Sequence, residues 1–232
     1  MADQHGQTVS FDVLGRTANG YLALPAGDSP GPGVVVIQEW WGLEDHIKDV
    51  TARFAEAGFV ALAPDLYYGK VATEPDEARK LVMSLRQELD KALAAIQSAI
   101  NLLLAHDRVS STKIGVTGFC MGGGLAWHAA AKLQQVGASV PFYGGGSELS
   151  DAEVARITCP VLAIFGELDE GVSPEVAQAR AAQMDRAGVM HETIIYPNAQ
   201  HAFFNDTRPA YNPDAAADAW QRMLKLFKET LT

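Results

Sequence analysis

Runs of apolar, largely β-branched residues recur at 34–38, 59–64, 113–117, 138–143, 160–165 and 192–196, each about as long as one buried strand. A further run at 20–24 predicts an edge strand. Between these runs the apolar positions change to helical spacing. Residues 78–104 carry Val82, Leu85, Leu89, Ala92, Ile96, Ile100 and Leu103 at steps of three and four, which predicts a single long helix whose one apolar stripe faces the core. The same reading gives helices at 46–57, 121–133, 174–187 and 213–231, several opening near Pro or Asp as helix starts do. Strands alternating with helices predict an α/β protein with a single, mostly parallel sheet and helices on both faces. No internal repeat or long linker interrupts the pattern, so residues 1–232 read as one domain.

Composition narrows the functional classes. Apolar residues make 48% of the 232 and charged residues 20%, a balance that suits a packed interior and excludes disorder. Lys and Arg number 18 against 28 Asp and Glu, for a net charge of −10, and no basic cluster appears, so nucleic-acid binding is not expected. No apolar run approaches the ~18 residues of a membrane span, and the polar residues 1–9 do not read as a signal peptide. With only two cysteines, Cys120 and Cys159, the expectation is a reduced, cytoplasmic protein.

The chemistry centres on Cys120. In Gly118-Phe119-Cys120-Met121-Gly122 a strand ends, a helix begins, and a cysteine sits at the turn between two glycines. This is the nucleophile-elbow pattern, with cysteine where serine is usual. The turn is tight enough to demand glycine, and it holds the nucleophile in a strained, exposed position. The helix that follows presents free N–H groups to the sulfur and to an oxyanion.

Such a nucleophile needs an acid and a base on later strand ends, in that chain order. After the run at 160–165 comes Gly166-Glu167-Leu168-Asp169-Glu170; the spacing from the strand favours Asp169 as the acid, with Glu167 and Glu170 as competitors. After the run at 192–196 comes Pro197-Asn198-Ala199-Gln200-His201, so His201 is the candidate base. His5, His46, His106, His128 and His191 fall near the terminus, on or beside helices, or before a strand, and are read as surface or packing residues. No paired histidine or cysteine spacing suggests a metal, and no phosphate loop or G-x-G-x-x-G suggests a nucleotide, so neither metal nor cofactor is expected. Asp65, at the end of the second run, reads as a residue that fixes its turn.

One more charge stands out. Glu39 follows a buried run directly and precedes Trp40 and Trp41. In an α/β hydrolase this loop gives one oxyanion N–H, the other coming from the residue after the nucleophile, so Trp40 and Met121 are the candidate backbone donors.

Taken together, Gln38-Glu39-Trp40-Trp41-Gly42, Ala63-Pro64-Asp65-Leu66-Tyr67, Gly118-Phe119-Cys120-Met121-Gly122-Gly123, Gly166-Glu167-Leu168-Asp169 and His201-Ala202-Phe203-Phe204-Asn205 resemble the dienelactone hydrolase family. The resemblance implies an α/β-hydrolase fold, a Cys-His-Asp triad, no cofactor, and a glutamate at position 39 that holds the thiol and takes its proton when substrate enters. Dienelactone-cleaving members carry an arginine four residues after the histidine, where this sequence has Asn205. Arg208, Arg79 and Arg86 are the other arginines weighed for that role. The reading is a cysteine-dependent hydrolase of carboxylic esters or lactones acting through an acyl-enzyme on Cys120, with a small molecule as its partner. The alternatives are an acyltransferase or thioesterase on the same residues, a thiol redox protein in which Cys159 resolves oxidised Cys120, and a binding protein without chemistry.

Overall fold

The computed structural model describes residues 6–146 and 148–231. Eight strands are hydrogen-bonded in the order β1-β2-β4-β3-β5-β6-β7-β8: β1 Gly6–Val13, β2 Arg16–Ala23, β3 Gly33–Ile37, β4 Val60–Pro64, β5 Ile114–Phe119, β6 Val136–Phe142, β7 Val161–Gly166 and β8 His191–Tyr196. The helices are α1 Asp45–Glu56, α2 Pro75–Gln87, α3 Leu89–Leu104, α4 Met121–Lys132, α5 Asp151–Val154, α6 Pro174–Ala187 and α7 Pro213–Thr230. The chain divides into two compact units, one running to Gly115 with Leu231, the other from Val116 to Thr230.

In the first unit β3 and β4 are buried along their whole length and pair in parallel, which is why both read as unbroken apolar runs. Helix α1 packs Ile47, Val50 and Phe54 against this part of the sheet, and α3 packs Ile96, Ile100 and Leu103. Strand β2 runs antiparallel to β4, and β1 hairpins onto β2 through Leu14 and Gly15, both left-handed at φ 54° and 81°. Two left-handed central residues match the twist of a two-residue hairpin, and the Asp12 carboxylate accepts the Gly15 N–H at 3.0 Å. Only Val13 of β1 is buried, so an edge strand with little apolar content left no trace in the sequence pattern.

The long helix expected over 78–104 is two helices. The chain leaves helical geometry at Glu88, with φ −117° and ψ 39°, and Glu88 N–H bonds back to Leu85 O while its carboxylate pairs with Lys91. The reason lies in burial: α3 buries seven residues, whereas α2 buries only Ala78 and Val82, so the stripe that appears continuous in sequence serves two differently covered helices.

In the second unit β6 and β7 pair in parallel, as do β7 and β8. Helix α4 is buried from Met121 to Ala131 and packs on β6; α6 covers β7 and β8, and α7 lies against β6 and β7. The short helix α5 was not expected, although Ser150 and Glu153 form a complete capping box at its start, a signal readable from the spacing. Among the described residues no helix is long and apolar enough to cross a membrane.

Candidate active site

The turn from β5 to α4 is strained at its cysteine. Cys120 has φ 55° and ψ −113°, a conformation costly for a side chain with a Cβ, and its N–H is held by Phe142 O at 3.1 Å. The closest approach occurs at Gly123, where a Cβ would lie 2.3 Å from Phe142 O and 2.9 Å from Gly144 Cα. Glycine at 123 and 144 therefore lets the start of α4 sit directly on the end of β6. Cys120 is partly exposed, and Met121, its neighbour, opens the helix where N–H groups have no acceptor within the helix.

Asp169 leaves β7 with its carboxylate fully buried. Its Oδ1 accepts the N–H groups of Gly171 and Val172, each at 2.8 Å, and its Oδ2 meets His201 Nδ1 at 2.7 Å. The two backbone donors aim the second oxygen at the imidazole. Of the competing carboxylates, Glu167 is exposed and accepts Asn198 N–H at 2.9 Å, tying the acid loop to the histidine loop, and Glu170 is exposed. Leu168 N–H donates to Ala199 O at 2.8 Å along the same seam, and a Cβ on Gly166 would come within 2.4 Å of that oxygen.

His201 bonds Asp169 through Nδ1, and the Cys120 sulfur is near enough to act on its charge. Burial disfavours its charged form, but the hydrogen bond to Asp169, the proximity of Cys120 and the charge of the Asp169 carboxylate outweigh burial and push its pKa up to about 10. Tyr143, fully buried and strained at φ 37°, packs its ring 5.0 Å from that of His201, and Phe119, Phe142, Phe203 and Phe204 fill the layer beneath. Tyr143 was overlooked in the sequence, where it read as the last residue of a strand run; that place, the carboxyl end of a parallel strand, was itself the signal.

The remaining histidines do not join this group. His128 is buried in α4, where burial and then Lys132 lower its pKa; His191 meets Asp185 at 3.1 Å; His106 accepts Arg108 N–H at 3.1 Å. His46 is buried on α1, and His5 lies outside the described residues. Cys159 is buried two residues before β7 begins, at the end of that strand opposite Phe142 and Cys120, which separates the two thiols and disfavours a redox pair.

Within the first unit, Glu39 is almost wholly buried after β3, its carbonyl accepting Gly42 N–H at 3.3 Å. Trp40 and Trp41 are half-buried, with ring centroids 4.9 Å apart. Gln38 Oε1 accepts Leu66 N–H, and Asp65 accepts the N–H groups of Tyr67 and Gly69, so Asp65 fixes its turn as expected. Arg79 and Arg86 are exposed on α2. In the second unit Asn205 is fully buried, and its Oδ1 accepts Thr207 N–H at 3.0 Å and Thr207 Oγ1–H at 2.6 Å. The amide that stands where some relatives have arginine is thus built into the turn after His201.

A strained elbow between strand and helix, with a carboxylate and an imidazole on the loops after later strands, is the architecture of an α/β hydrolase. Residues 18–231 match the model of the dienelactone hydrolase family, and the chain belongs to that family. "Protein usf" of Aquifex pyrophilus is 40% identical over 98% of this chain and its own full length. The Aquifex aeolicus protein named "Putative carboxymethylenebutenolidase" is 36% identical over 97% of this chain and 99% of its own. Among solved structures, a dienelactone hydrolase-like promiscuous phosphotriesterase from metagenomic libraries superposes with a TM-score of 0.88 at 27% identity, over 98% of each chain. The protein is a hydrolase of this family.

Proposed function

We propose that the protein hydrolyses carboxylic esters or lactones through an acyl-enzyme on Cys120, with residues 1–232 acting as one catalytic domain. The observation that carries this reading is the hydrogen bond of His201 to buried Asp169, with the Cys120 sulfur held at the strained elbow close to the same imidazole. Glu39 takes the thiol proton as substrate enters, a role that rests on its place in the Gln-Glu-Trp-Trp-Gly motif. The sulfur adds to the carbonyl carbon, and the resulting oxyanion accepts the N–H groups of Met121 and Trp40. Collapse breaks the bond to the alcohol oxygen, His201 gives that oxygen its proton, and a thioester remains.

The raised pKa of His201 explains how one imidazole serves both halves. Once Glu39 has taken the thiol proton, the Asp169 carboxylate and the thiolate both hold the proton of the imidazole, which is then poised as an acid. In the thioester the sulfur carries no charge, and one of the two influences that raise the pKa is gone. The now neutral imidazole accepts a proton from water, the hydroxide attacks the thioester carbonyl, and the acid leaves as sulfur regains its electron pair. Glu39 then returns the proton to the thiolate.

The test is a panel of neutral esters and lactones, with a phosphotriester included because of the activity in the name of the superposing structure, followed by intact-mass measurement. The expected result is turnover with an acyl adduct at Cys120, abolished in Cys120→Ala and kept within a few-fold in Cys159→Ala. Equal losses in both folded variants would overturn the single-nucleophile reading, as would turnover in Cys120→Ala.

A further inference from the structure

A cavity of about 420 Å³ opens in the first unit, between the β1–β2 hairpin turn, the loop after β4, and helices α2 and α3. No residue of the Cys120 chemistry lines it. The volume falls within the range typical of small-molecule sites. Its walls are apolar, with Val13, Leu66, Leu81, Leu85 and Ala92 among them, while Arg16, Lys70, Lys91 and Glu88 stand at the same cavity.

The charges favour an anion. Lys91 is paired with Glu88, which leaves Arg16 and Lys70 uncompensated by any carboxylate among the described residues, in a chain whose net charge is −10. The Arg16 guanidinium carbon lies over the Tyr68 ring, 3.6 Å from its centroid, a contact that holds the group at the cavity. Tyr68 itself is held left-handed at φ 54°, with Gly69 at 91°, and the Asp65 carboxylate pins the N–H groups on either side. The platform is therefore formed in advance, and a ligand need not order it.

Leu14 gives an independent indication. It occupies a left-handed turn position where Asn or Gly is the unstrained choice, and it is 74% exposed. A leucine there contributes nothing to hairpin geometry or to the core, but it borders this cavity.

We propose that the cavity binds an amphipathic monocarboxylate, an alkanoate of medium chain length, with its carboxylate on Arg16 and Lys70 and its tail against Leu81 and Leu85. Binding of decanoate to the full chain, measured by titration calorimetry beside decan-1-ol and decyltrimethylammonium, tests this without any reference to catalysis. Decanoate is expected to saturate at one per chain and to bind at least tenfold tighter than the cation. Arg16→Gln and Lys70→Gln should each weaken it by roughly tenfold, as for loss of a hydrogen bond to a charged group. Both residues are exposed, so folding is not at risk. Ser84→Trp, on the exposed side of α2 at the cavity wall, should abolish binding while the thermal melt stays unchanged. Absence of saturable binding, equal affinity for the cation, or undiminished binding in the glutamine variants or in Ser84→Trp would each overturn the proposal.

Discussion

Replacing Asp169 by Asn tests the relay at its most constrained point. The carboxylate is fully buried, and its Oδ1 receives two backbone N–H groups at 2.8 Å, from Gly171 and Val172. An asparagine must keep its carbonyl oxygen on those two donors, because turning the amide over would place N–H against N–H twice in a dry site. Its NH₂ then faces His201 Nδ1, which has to become an acceptor, and the ring's proton moves to the nitrogen that serves Cys120. Loss of the charge-assisted bond alone costs about 1.5–3 kcal/mol, or roughly tenfold to 150-fold in rate. Reversal of the tautomer carries the loss in turnover toward the order of 10⁴. The pKa of His201, raised to about 10, should fall, because burial continues to disfavour the imidazolium while the Asp169 carboxylate that favoured it is gone. Because the folded-state value lies above the ordinary histidine value of about 6.5, this group's stabilisation is complete below pH 6.5 and fades as pH rises toward 10. Asp169→Asn should flatten that part of the stability curve. NMR titration of the imidazole, chemical melts between pH 6 and 10, and single-turnover kinetics make the three measurements. A variant with unchanged His201 titration and turnover within a few-fold would refute the reasoning.

Other expectations follow from the same geometry. Glu39→Gln should slow acylation far more than deacylation, since water activation rests on His201; stopped-flow measurement of the two steps separates them, and an unchanged acylation rate returns Glu39 to a structural role. Dienelactone should be a poor substrate beside neutral esters, by roughly tenfold to a hundredfold in kcat/KM, because Asn205 offers no guanidinium for a carboxylate. Asn205→Arg should lower the melting temperature rather than create that activity, since position 205 is buried and its amide holds Thr207; a stable variant with high dienelactone turnover would contradict both statements. Gly166→Ala should push the 197–201 turn away from Asp169, costing about 1–3 kcal/mol of stability together with activity, as measured by thermal melts and turnover.

Much of this protein is written in short-range order. The central strands were legible because strands buried on both faces must be continuously apolar, and five of them fall within two residues of the expected bounds. The strained turn at Cys120 was legible from its place between a strand end and a helix start, and the pairing of Asp169 with His201 from their places after later strands. Features that lack a local cause did not show: β1 buries one residue, and the break at Glu88 has neither proline nor glycine to announce it.

The sequence by itself therefore determined the kind of sheet, the strained turn and the set of chemical groups available, since each depends on neighbours within a few positions. Tertiary structure alone decided which groups are coupled. Three carboxylates lie within 167–170, and only the fold buries Asp169 against His201 while turning Glu167 to Asn198 and leaving Glu170 in water. It likewise raised the pKa of His201, placed Tyr143 beside it, and committed Asn205 to a turn. The physical reason is that desolvation and hydrogen bonding between loops from distant strands depend on where those loops converge, and that convergence is a property of the packed chain.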